Sequence, residues 1–166
     1  MMVSVTHNKN KLYNTLLFLS RNIYFYEKIK LPDTFQTRIY LMFIHFSIFM
    51  IIAKKKSSKF DQRSYDFLFN NIEYNLREQG LGDVSVNKKM KDFNKILYDI
   101  LLKIDLEKNS NKFKVNPVLI LSYFNTLKNE DKSKLDDFIG YFTNFFNFCF
   151  ELSLDNMIED ALKYKY

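Results

Sequence analysis

Glycine, proline, cysteine and tryptophan are almost missing from this 166-residue chain. It has three glycines (Gly80, Gly82, Gly140), two prolines (Pro32, Pro117), one cysteine (Cys149) and no tryptophan. A single cysteine excludes an internal disulfide and any metal site built from several thiolates. Two histidines, His7 and His45, are too far apart in sequence to form a helical i, i+4 ligand pair. There is no glycine-rich phosphate loop and no Gly-x-Ser-x-Gly elbow. The residue inventory therefore points away from catalysis, from a bound metal or cofactor and from a small-molecule substrate. Arginine is also scarce, surviving at Arg21, Arg38, Arg63 and Arg77 in a chain where lysine carries most of the positive charge. Such a composition suggests A- and T-rich coding, under which a retained Gly, Pro or Arg is expected to mark a place where a cheaper residue fails.

What is abundant is apolar and basic. Hydrophobic residues make up 47% of the chain, ample for one packed domain of this length. The net charge of +6 allows weak attraction to RNA or anionic lipid, yet no basic run exceeds Lys54-Lys55-Lys56. Cys149 lies within Phe145-Phe146-Asn147-Phe148-Cys149-Phe150 and reads as a buried, inert thiol. Leu16 to Leu19 are followed by Ser20 and Arg21 instead of a small-residue cleavage site, so no signal peptide is expected. The run Ile39 to Ala53 would reach about 22 Å as a helix, short of a bilayer core of roughly 30 Å. It reads as the central helix of a bundle, with peripheral membrane contact as the alternative.

The periodicity is helical nearly throughout. Leu12, Leu16, Leu19 and Ile23 predict a helix over 9–28, after a polar stretch, 1–8, expected to be disordered. Leu31-Pro32 breaks the pattern, and Asp33 with Gln36 suggests a capping box for the apolar helix. Ser57-Ser58 reads as a loop and cap before a stripe of Tyr65, Leu68, Phe69, Ile72 and Leu76. Gly80 falls where a helix end needs a left-handed residue, and Ser85 is expected to cap the next helix. Asn116-Pro117 opens a further helix, and a Phe-rich helix runs over 134–152. The expected architecture is all-α, a single domain of six or seven helices spanning 9–166.

Two segments concentrate the rare residues. One is Leu31-Pro32-Asp33-Thr34-Phe35-x-x-Arg38, followed by the apolar helix with His45. The other is Leu76-Arg77-Glu78-x-Gly80-x-Gly82-Asp83-x-Ser85-Val86-x-Lys88-Lys89. Together, in this order, they resemble the ubiquinol–cytochrome c chaperone family, assembly factors of respiratory complex III. The resemblance covers 12–103; over 104–166 it is one of helical length and hydrophobicity only. It implies a non-enzymatic chaperone that binds newly made apocytochrome b. In mitochondrial members it also implies a small partner protein and the ribosomal tunnel exit. The implied location is the cytoplasmic face of the inner membrane, or the matrix if organellar, with peripheral membrane contact. An RNA- or ribosome-binding adaptor, or a peripheral membrane protein without a cytochrome b client, is the competing reading.

Physical chemistry assigns the candidate residues two roles each. Arg38 and Arg77 either clamp Asp33, Glu78 or Asp83 internally or meet a partner's carboxylates. A partly buried clamp would cost ~3–5 kcal/mol on loss of one member. Lys88, Lys89 and Lys91 form either a solvated face or a contact for acidic loops, RNA or lipid headgroups. His45 is a hydrogen-bonded core histidine or, alternatively, a haem ligand. Phe142, Phe145, Phe146, Phe148 and Phe150 line either a client groove or the core.

Overall fold

A computed structural model describes the backbone from residue 2 and the side chains of residues 11–166. Of the stretch 1–8 expected to be disordered, residue 1 lies outside the described residues and the backbone of 2–8 forms the start of α1. The elements in chain order are α1 (Met2–Ser20), α2 (Ile23–Glu27), α3 (Phe35–Lys55), α4 (Gln62–Glu78), α5 (Asp83–Lys103), α6 (Pro117–Tyr123), α7 (Lys132–Phe150) and α8 (Met157–Asp160). Short 3₁₀ turns follow α6 (Asn125–Asn129) and α8 (Ala161–Lys163). The chain is an all-α single domain.

The expected first helix is split. Arg21 N–H closes on Phe18 O, and the Asn22 side chain accepts from Tyr24 N–H, starting α2 afresh. Ile23 consequently leaves the apolar stripe and is exposed. α3 occupies the centre, packing on α1, α5 and α7. Although long and apolar enough to cross a membrane, it has 67% of its most apolar window buried inside the protein. Its low amphipathicity in sequence has a simple cause: neighbours cover it on several sides.

Two helix ends differ from expectation in who does the capping. Ser57 does not start α4; it follows the end of α3 with φ 58°, while Ser58 N–H reaches back to Ala53 O. Asp61 caps α4 instead, its carboxylate accepting from Arg63 N–H at 3.1 Å. Ser85 is displaced by Gly82 as the residue preceding α5, with acidic Asp83 in the first turn.

The Phe-rich α7 supplies core. Phe138, Tyr141, Phe142, Phe145 and Phe146 are buried, and only Phe148 and Phe150 are part-exposed. Of the two readings of these phenylalanines, Phe142, Phe145 and Phe146 take that of core. Cys149 is buried among them, and burial pushes its thiol up to about 12.

His45 sits in this aromatic core, ringed edge-on by Phe25, Tyr141, Phe142 and Phe145. Leu41 O lies 2.6 Å from Nδ1 and can only accept, so Nδ1 carries the proton. Nε2 then accepts from the Tyr141 hydroxyl at 2.9 Å. With both nitrogens engaged inside the core, the imidazole has no lone pair to offer haem iron. Burial lowers its pKa from 6.5 to about 4, with the Leu41 bond opposing that shift. The unfolded chain thus takes up this proton near pH 6.5 and the folded chain only near 4. The contribution to stability is complete above pH 6.5 and is lost as pH falls toward 4, by about 3 kcal/mol in all. Thermal melts across that window should fall more steeply for the wild type than for His45→Gln; parallel curves would refute the assignment.

Lys54-Lys55-Lys56, the longest basic run, is largely structural. Lys56 Nζ donates to Leu152 O at 2.8 Å and lies 4.9 Å from the centre of the Phe150 ring. Lys55 is drawn into the loop between α5 and α6, where Asp105 and Val115 form an isolated antiparallel bridge. Its Nζ lies 3.1 Å from Asp105 Oδ2 and donates to the carbonyls of Glu107, Ser110 and Lys112.

Candidate functional site

The first rare-residue segment forms the entry to α3. Leu31 is buried and its N–H reaches Phe25 O, while Pro32, Asp33 and Thr34 are exposed. Thr34, not Asp33, is the N-cap. Its N–H bonds back to Pro32 O, its backbone is extended, and its Oγ1 accepts from Thr37 N–H at 3.1 Å. Gln36 does not complete a capping box, since its amide donates to the Tyr40 hydroxyl. Released from capping, Asp33 accepts from Arg38 Nε at 3.1 Å.

The second segment is a helix-to-helix turn. Gly80 has φ 89°, its N–H bonds to Arg77 O, and Leu81 N–H reaches Leu76 O. This pair of bonds is a Schellman motif, and its left-handed position explains why glycine is retained there. Gly82 has φ −77°, and nothing in the structure requires glycine at that position. Arg77 spans the turn, donating to Glu73 on its own helix and to Asp83 at the start of α5. These two bonds raise its pKa above the ordinary arginine value.

Both arginines pair with carboxylates of their own segments, and these pairs lie at the surface. Arg77 and Asp83 are substantially exposed, as is Asp33. The larger cost expected for a partly buried clamp does not apply, because water screens exposed pairs; the Arg38–Asp33 pair is of the class contributing ~0.2–1 kcal/mol. Glu78 joins neither clamp among the described residues. Lys88, Lys89 and Lys91 are exposed on α5, and none is in an ion pair among the described residues.

The fold does bring parts of the two segments together. A cleft of about 380 Å³ opens between the end of α1, the start of α3 and the end of α4. Its walls are apolar, from Tyr13, Leu17, Phe35, Ile39, Met42 and Ile72. Its polar lining is Arg21, Arg38, Asn75, Glu78 and Gln79, with Asn75 held by a 2.8 Å bond to the Tyr13 hydroxyl. A second, more open depression, about 530 Å³, shares Arg21 and Arg38 and adds Ile23, Tyr26, Glu27 and Asp33. Arg38 and Glu78 thus meet one cleft from helices forty residues apart in sequence, whereas Arg77 and the lysines face elsewhere. Arg21 was not among the candidates, although its survival as arginine was a signal. Phe18 and Ile23, close to it in sequence, are exposed. An apolar cleft rimmed by two guanidinium groups can take an apolar chain segment that carries a carboxylate or a free helix-end carbonyl.

The family model described as ubiquinol-cytochrome C chaperone matches residues 27–162. This chain belongs to the ubiquinol–cytochrome c chaperone family. No curated protein and no solved structure matches it. The family match includes the α3 entry, the Gly80 turn, α5 and the Phe-rich α7. It therefore runs through the C-terminal third, which the two motifs alone did not reach. It begins after α1, so Tyr13, Leu17 and Arg21 of the cleft lie outside the matched region.

Proposed function

We propose that this protein is a non-enzymatic assembly chaperone that binds newly made apocytochrome b during biogenesis of ubiquinol–cytochrome c reductase. The observation that carries the reading is the family match across residues 27–162. The cleft between α1, α3 and α4 supports it physically. A membrane protein's segments emerge apolar, and a chaperone for them needs an apolar recess with polar groups at its rim. Arg21, Arg38, Asn75 and Glu78 supply that rim. Pro32, Asp33 and Thr34 set the direction in which α3 enters the cleft. Gly80, with Arg77 paired to Asp83 across it, sets the turn that places Glu78 there.

In this reading the protein works at the cytoplasmic face of the inner membrane, or at the matrix face in an organelle. A small second factor and the ribosome are its further partners. The net charge of +6 suits that setting.

The test is affinity capture of the tagged chain from mild-detergent extracts of its own cells, beside an Arg21→Glu/Arg38→Ala variant shown by circular dichroism to be folded. Cytochrome b peptides should be enriched with the wild type and fall several-fold with the variant. Equal capture by both would move the contact away from the cleft. Ribosomal RNA without cytochrome b would instead establish the adaptor reading.

A further inference from the structure

Helix α5 presents an outward stripe that the sequence pattern alone did not group. Val84, Lys88, Lys91, Lys95, Tyr98 and Leu102 follow one another at alternating spacings of four and three residues. That spacing keeps all six on one line along a helix. The buried positions of the same helix, Val86, Phe93, Leu97 and Ile100, fall on the opposite side. The stripe is bare. Val84 is 86% exposed, Tyr98 54% and Leu102 62%, and all three lysines are exposed. None of these lysines is in an ion pair among the described residues. Lys89, although next to Lys88, is off this line. The carboxylates beside it are Asp92 and Asp99, and Asp99 is already engaged by Lys103 at 2.5 Å and by the Tyr123 hydroxyl.

We infer that the outer face of α5 is a docking face for an anionic lipid surface. From Val84 to Leu102 the stripe extends roughly 27 Å in a straight line. A straight line on a convex helix meets a plane along its whole length. Three unpaired lysines in the middle complement a layer of anionic headgroups. Val84 and Leu102 at the two ends are placed to enter the acyl boundary, and Tyr98 to sit at headgroup depth. A recess of about 140 Å³ opens beside Tyr98, lined by apolar groups such as Phe46, Met50, Phe60 and Leu101 and by the polar Asp61 and Gln62. A partner helix would need apolar groups where the lysines stand. RNA would leave Val84 and Leu102 without a use. The inference extends the membrane-peripheral part of the reading above, and its readout is independent of cytochrome b capture, so either can fail alone.

The full chain is tested by flotation with vesicles of phosphatidylcholine alone and of phosphatidylcholine mixed with phosphatidylglycerol, at low and high salt. Binding should appear only with the anionic vesicles and weaken as salt rises. Lys88→Gln/Lys91→Gln/Lys95→Gln should reduce partitioning by roughly fivefold per lysine, about a hundredfold together. Val84→Ser/Leu102→Ser should also reduce it while leaving its salt dependence unchanged. Lys28→Gln/Lys128→Gln/Lys165→Gln removes the same charge from other exposed positions. An equal loss in that control would show that net charge alone acts and would overturn the assignment. Wild-type binding to RNA with none to anionic vesicles would overturn it as well.

Discussion

Lys55→Met should lower the stability of this protein by about 3–5 kcal/mol, the cost of leaving a buried charge unpaired. For a chain of this size that is a fall of roughly 10 °C in melting temperature. The side chains of Lys55 and Asp105 are 7% and 2% exposed. Asp105 Oδ1 is satisfied by the amides of Glu107 and Lys114, whereas Oδ2 has no hydrogen-bond partner and depends on the ammonium for compensation. Removing Lys55 therefore strands a carboxylate inside the protein and releases three loop carbonyls. Asp105→Asn in the same background should restore much of the loss, since Asn can still accept from both amides and carries no charge. Chemical denaturation of the two single variants and the double one measures the coupling. Additive effects would show that the ion pair does not organise the loop.

Phe145→Ala should cost a similar amount, about 3–5 kcal/mol. Phe145 is fully buried, parallel to Tyr141 at 6.1 Å and in contact with the rings of His45, Phe49 and Tyr164. The cavity left by its ring would be walled by rings from α3, from α7 itself and from the C-terminal Tyr164, which cannot all close on it. The same variant separates core from groove. A protein that stays stable but loses its client would make Phe145 a binding residue. A protein that loses stability and keeps its client when folded confirms the core assignment. Equilibrium unfolding followed by capture under native conditions reads both.

Much of the helical architecture was legible because helix periodicity and breakers are local. Pro32, Gly80 and Asn116-Pro117 each mark a boundary found in the structure, and Gly80 adopts the left-handed backbone expected of it. The misassigned caps show the limit of that locality. Asp33, Thr34, Ser57, Asp61 and Ser85 are all competent capping residues. Which one caps depends on how the chain enters the bundle: Thr34 caps because the turn at Pro32 extends its backbone, which frees Asp33 to hold Arg38. Ile23 was lost from its stripe for a related reason, since Asn22 restarts the helix.

The candidate site was legible in part. Rare residues did mark the two segments, and Arg38 and Glu78 do share a cleft. Arg77 does not join them, because its guanidinium is held by Glu73 and Asp83. Spacing in the sequence cannot say which of several nearby carboxylates an arginine takes.

Residue order and composition were enough for an all-helical domain without multi-cysteine chemistry, for a buried central helix and for a resemblance to a chaperone family. Those follow from periodicity, composition and motif order, which need no third dimension. Tertiary structure alone decided that the Phe-rich helix is core, that a lysine in the longest basic run belongs to a loop fifty residues away, and that α5 turns three lysines and two aliphatic side chains to solvent. The physical reason is that burial and ion pairing depend on distances between helices, and those distances exist only after the bundle has packed.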